Sequence, residues 1–142
     1  MSEIIRKALF ADLVFNEEGQ PVKAVYVGNV PHYVVPDGDF LRHVEAEHVD
    51  RQIVGLIQER VLSMREAITE GVVQMLGQED PFTRASIEHA IENMDRILEP
   101  GAVDTEELRT ALWMTGFRAT VNMHGDVVHL EMPGWESGEF DE

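Results

Sequence analysis

The sequence predicts an α+β fold: an antiparallel β-sheet, built from a β-meander and a C-terminal hairpin, packed against one long and two short helices in the order βββ-ααα-ββ. Three observations predict it. Short apolar runs rich in β-branched and aromatic residues, parted by Gly turns, fill residues 7–36. Apolar residues then recur at helical spacing as far as Thr115. Alternation returns over residues 117–132. Strands at both ends with helices between them favour one sheet covered by helices on a face.

The first strand is expected over Lys7–Phe15, where Leu9, Ala11, Leu13 and Phe15 alternate with Phe10, Asp12 and Val14. Asn16-Glu17-Glu18-Gly19 reads as a turn, because Gly accepts positive φ. Pro21–Val27 is the second strand. Gly28-Asn29 is a two-residue hairpin turn of the Gly-first kind, leading to a third strand over Pro31–Val35.

One long helix is expected next, capped by Asp37 or Asp39 and ended by Gly77. Its second half carries Ile57, Val61, Met64, Ile68, Val72 and Met75 at steps of four and three. That is an apolar stripe of nearly heptad character, suited to the domain's own sheet or to a second copy. At about 1.5 Å per residue the helix would be roughly 55 Å long, too long for a globule of this size. It should break near Gly55 or Gly71, or protrude and pair. A second helix starts at Asp80-Pro81, with Asp as N-cap and Pro in the first turn. A third follows the capping box of Asp104 and Glu107 and ends at Gly116. Ion pairs at i,i+4 are expected between Arg84 and Glu88 and between Glu92 and Arg96.

The final hairpin is the most closely specified element. A type I′ turn at His124-Gly125 pairs Val121 with Val128, Ala119 with Leu130 and Phe117 with Met132 on one face. Arg118 then meets Glu131, and Thr120 meets His129, on the other. No internal repeat is apparent. Residues 1–134 read as a single domain, and 135–142 as an acidic, disordered tail.

The 142 residues carry 11 Lys and Arg against 27 Asp and Glu, a formal net charge of −16. Such a field repels phosphates and anionic surfaces, which argues against nucleic acid and membrane partners. Cysteine is absent, so disulfides, thiolate metal sites and cysteine nucleophiles are excluded. No segment has the ~20 apolar residues of a spanning helix, and the chain reads as cytoplasmic. There is no Gly-x-Ser-x-Gly elbow, Walker loop or dinucleotide fingerprint. No cofactor is implied.

One segment has metal-ligand chemistry. His43, Glu45, Glu47 and His48 crowd the start of the long helix, but the two histidines are five apart, not the four that share a helix face. Glu45-x-x-His48 resembles the Glu-x-x-His unit of carboxylate-bridged di-iron bundles, with His89-x-x-Glu92 of the next helix as a reversed half, and His43, Glu47 and His48 are the other candidate set for a divalent metal. The competing reading is a solvated, acidic first turn favoured by the helix dipole. His32, His124 and His129 would cluster as a pH-sensitive surface if the two β units shared a sheet. Three functions follow in order. The first is a non-enzymatic homodimer or protein-binding module using the helix stripe. The second is a metal-binding protein or metal-dependent enzyme, and the third an acidic nucleic-acid mimic that occupies a basic protein.

Overall fold

The computed structural model describes residues 6–77 and 79–133. The acidic tail expected over 135–142 lies outside them. The architecture is α+β, with six strands, four helices and one 3-10 turn among the described residues. The chain divides into two compact units. One takes the chain up to Ile53 and from Leu98 onward, and the other is Val54–Ile97.

The first unit holds both sheets. Strand β1 (Val14–Asn16), β5 (Arg118–Val121) and β6 (Val127–Glu131) form one, in the order β1-β5-β6. Strands β2 (Lys23–Val27), β3 (Val30–Asp37) and β4 (Phe40–Glu45) form the other, in the order β2-β3-β4. Two sheets therefore replace the single sheet expected. One pairing, β1 with β5, is parallel, setting Val14 beside Ala119 and Asn16 beside Val121.

The first strand is shorter than its alternation suggested. Ala8, Leu9 and Phe10 are all buried in succession, which a half-buried strand cannot achieve. The chain turns there instead, closed by Leu13 N–H donating to the Phe10 carbonyl, with Asp12 at φ 72°. Phe10 stacks on Phe117, ring centroids 5.8 Å apart, and joins Leu13, Val14, Val22 and Ala119 in the core.

Two loops use one device. Asn16 Oδ1 accepts from the N–H groups of Glu18 and Gln20, and Gly19 sits at φ 81°. Asn122 Oδ1 accepts from His124 and Asp126, and Gly125 also sits at φ 81°. Each is a three-residue hairpin loop in which Asn caps the turn and Gly takes the left-handed position. The expected type I′ turn at His124-Gly125 is thus replaced by a longer loop. The register holds for Arg118–Glu131, Ala119–Leu130 and Thr120–His129, then slips by one, so Val121 faces Val127 rather than Val128. The turn at Gly28-Asn29 is as expected, with Gly28 at φ 65° and Val27 facing Val30.

Residues 40–45, expected as the start of the long helix, form strand β4. Pairing decides this: β3 offers partners from Asp37–Phe40 through His32–Glu45. Helix α1 (Ala46–Ser63) begins only there and is followed by α2 (Arg65–Leu76). The break falls at Met64, at neither glycine. Ser63 Oγ donates to the Arg60 carbonyl at 2.8 Å, and Met64 N–H turns to Val61 instead. A serine thus takes the acceptor that the helix ladder would have used. Gly55 and Gly71 lie within the helices with open space where a Cβ would go, so neither marks a close approach.

In the second unit, Gly77 ends α2 in the left-handed conformation. Asp80 caps α3 (Pro81–Glu92) by accepting from Thr83 N–H at 2.7 Å. Arg84 pairs with Glu70 and Glu79, not with Glu88, and Glu92 pairs with Arg65, not with Arg96. After a 3-10 turn (Met94–Leu98), Asp104 caps α4 (Thr105–Thr115) through the N–H groups of Glu106 and Glu107. No helix among the described residues is long and apolar enough to cross a membrane.

Candidate functional site

Within the first unit, the two faces of the β2–β3–β4 sheet differ along its central strand. Along β3, Pro31, Tyr33 and Val35 are buried, while Val30, His32, Val34 and Pro36 alternate with them toward the other side. The register places Lys23, Val25 and Val27 of β2, and Leu41, His43 and Glu45 of β4, on that same outer side. Six of these ten residues are apolar, and Glu45 is the one carboxylate among them. Val27, Val30 and Leu41 are 54%, 44% and 64% exposed. In a chain of net charge −16 this is a nearly neutral, apolar surface.

His32 and His43 lie together on it. Their ring centroids are 6.3 Å apart, with the planes at 63°. His32 Nδ1 lies 3.0 Å from the Val30 carbonyl. A carbonyl accepts only, so this contact puts the proton on Nδ1 and leaves Nε2 with its lone pair. Val34 faces His43 and His32 faces Glu45 across the β3–β4 ladder. The histidine pair is therefore diagonal, within side-chain reach on one face.

The sheet's inner face carries a buried polar network. Tyr33 Oη donates to Asp50 Oδ1 at 2.7 Å and accepts from Phe10 N–H at 3.1 Å. Asp50 Oδ2 accepts from Leu9 N–H at 2.9 Å. Burial raises the Asp50 carboxyl to about 7, against the two hydrogen bonds it accepts, which pull it down. Burial, followed by the charge of Asp50, pushes the Tyr33 hydroxyl well above its ordinary value. Both side chains are sealed from solvent, at 3% and 0% exposure. The network ties residues 9–10, β3 and α1 together and offers no opening to a substrate.

Comparison with known families, curated proteins and solved structures finds no match.

The residues expected to bind metal do not converge as the sequence suggested. His43 and Glu45 are on β4, and Glu47 and His48 on α1, so the helical spacing argued for them does not apply. Glu47 is held by Arg51 at 2.7 Å, whose hydrogen bond lowers its pKa, and His48 lies 3.8 Å from Asp126. His89 and Glu92 are on α3, where Asn93 contacts His89 and Arg65 lies 3.7 Å from Glu92. Among the described residues, no group of three or more His, Asp or Glu is placed to hold a metal ion.

The helix stripe is divided. Val61 is buried at 4% exposure, while Met75 is 78% exposed. Ile57, Met64, Ile68 and Val72 fall between, and the break at Met64 interrupts the row. On α2 the buried residues are Thr69 and Val73, one position along from Ile68 and Val72.

A pocket of about 370 Å³ lies between the 11–13 turn and α4, walled by Leu13, Trp113 and Met114. Its Arg109 is paired with Asp12 at 3.4 Å. The lining contains Thr110 but no His, Ser or Tyr.

His32 was absent from the residues expected to bind metal. Recognising it requires the β3–β4 register, hence β4, which the acidic and capping residues of 37–47 disguised as a helix start.

Proposed function

We propose that the protein is a non-enzymatic cytoplasmic protein that acts by self-association, and that the outer face of the β2–β3–β4 sheet is its contact surface. The observation carrying this reading is the concentration of Val25, Val27, Val30, Val34, Pro36 and Leu41 on one nearly uncharged face, with Val27, Val30 and Leu41 exposed and the other three half-buried. Exposed contiguous apolar surface of this kind marks interaction sites.

Charge selects the occupant. Two chains of −16 repel each other wherever carboxylates meet, and this face offers one carboxylate against one lysine. Lys23 is on β2 and Glu45 on β4, the two flanking strands. A two-fold axis running along β3 lays β2 of one copy over β4 of the other. Each Lys23 then lies over His43 of the second copy, and its long stem spans the two-residue step along β4 to Glu45, twice per pair, as an isologous contact requires. Sheets stacked this way sit ~10 Å apart with their apolar side chains interleaved.

Sedimentation or light scattering over a micromolar range tests the reading. The mass of two chains is expected, reverting to one in Val27→Glu and Leu41→Glu variants that keep their thermal melts. A single-chain mass up to several hundred micromolar overturns it.

A further inference from the structure

We propose that His32 and His43 form a two-histidine chelating site for a divalent transition metal of the zinc, nickel or copper class. The site goes beyond self-association, because a single copy carries both ligands.

The geometry fits chelation. A metal–nitrogen bond of roughly 2.1 Å places an imidazole centroid about 3.2 Å from the ion. Two rings on one ion therefore hold their centroids between about 5 Å, when tetrahedral, and about 6.4 Å, when opposed. The observed separation is 6.3 Å. A small rotation of the exposed His43 ring covers the range, and His32 needs no change of tautomer. Its Nδ1–H already donates to the Val30 carbonyl, leaving Nε2 as the ligand. A metal-binding histidine is oriented in this way, with its second nitrogen tied to a carbonyl or carboxylate.

Imidazole is a borderline ligand that selects zinc, nickel and copper over magnesium and calcium. No third His, Asp or Glu joins the pair among the described residues, so water completes the coordination in a single chain. Among the described residues, the ring contact between two histidines is that of His32 with His43. His48 is beside Asp126, and His129 beside Glu131. Net charge adds a general attraction for cations but does not choose the position.

The test uses full-length chain without a histidine tag, stripped with chelator, and titrated with nickel at concentrations below any association. One ion per chain is expected, with affinity falling at least tenfold in His32→Ala and in His43→Ala and unchanged in His129→Ala. Copper should broaden the His32 and His43 ring resonances of the unaltered chain before those of the other histidines, a readout that needs no variant. Undiminished nickel binding in both alanine variants, or broadening that starts at another histidine, overturns the proposal. Light scattering in chelator reads self-association separately, so failure of one does not decide the other.

Discussion

Tyr33 Oη donates a 2.7 Å hydrogen bond to Asp50 Oδ1, linking β3 to α1 inside a core where neither side chain meets solvent. Leu9 and Phe10 complete the link by donating backbone N–H groups to Asp50 and to Tyr33. This junction buries the inner side of β3 at Tyr33 and Val35, while Val27, Val30 and Leu41 on the sheet's other side stay exposed.

Asp50 makes stability depend on pH. Its folded-state pKa of about 7 stands above the ordinary 3.8, so folding favours the protonated form. The contribution is complete below about pH 4 and is lost as pH rises through 7, up to about 4 kcal/mol for a shift of this size. Thermal melts of the native chain and Asp50→Asn between pH 5 and 8 read this out. The native chain should lose stability relative to the variant as pH rises; a constant difference would remove Asp50 as the cause.

Tyr33→Phe strands two buried groups. Phe10 N–H loses its acceptor and Asp50 loses one of its two donors. A cost of about 1–3 kcal/mol is expected in urea unfolding, typical of an unsatisfied buried group. An unchanged midpoint would show that the hydroxyl contributes little.

Gly125 is held by conformation and by space. It takes φ 81°, and a Cβ there would lie 2.5 Å from Val44 Cγ1. Its carbonyl accepts from Gln52 Nε2 while Gln52 Oε1 accepts from Val127 N–H, so α1 grips the loop on both sides. Gly125→Ala should cost about 2–4 kcal/mol, from backbone strain and overpacking together. In a Val44→Ala background the steric part should shrink, since only the residue 44 Cβ at 3.3 Å remains, leaving mainly the backbone strain of about 1–2 kcal/mol. Equal costs in both backgrounds would show that Val44 plays no part.

The Lys23–Glu45 contact proposed between copies is testable by reversal. Lys23→Glu should weaken association about tenfold and Glu45→Lys should do likewise, while the double exchange restores it. Failure of the double variant to recover, with both singles folded, would place the contact elsewhere.

Local chemistry made several elements legible. Asp80 and Asp104 mark helix starts because a carboxylate satisfies N–H groups that no other sequence neighbour reaches, and both do so here. Gly77 and Gly116 mark helix ends because each is needed at positive φ. The three hairpin pairs from Arg118–Glu131 to Thr120–His129 follow from matching apolar and charged partners. The break at Met64 was less legible, since Ser63 bonding back to Arg60 leaves no trace in the apolar stripe.

By itself, then, the sequence determined the α+β class, the caps and most of the final hairpin, because these depend on residues close in the chain. Tertiary structure alone decided that residues 40–45 are a strand, that β1 lies parallel to β5, and that His32 meets His43. Each rests on hydrogen bonds between segments distant from a local helix turn. A stretch such as Phe40–Glu45 has no strong preference of its own, so the partner strand supplies the choice. That choice also creates the outer face and its histidine pair.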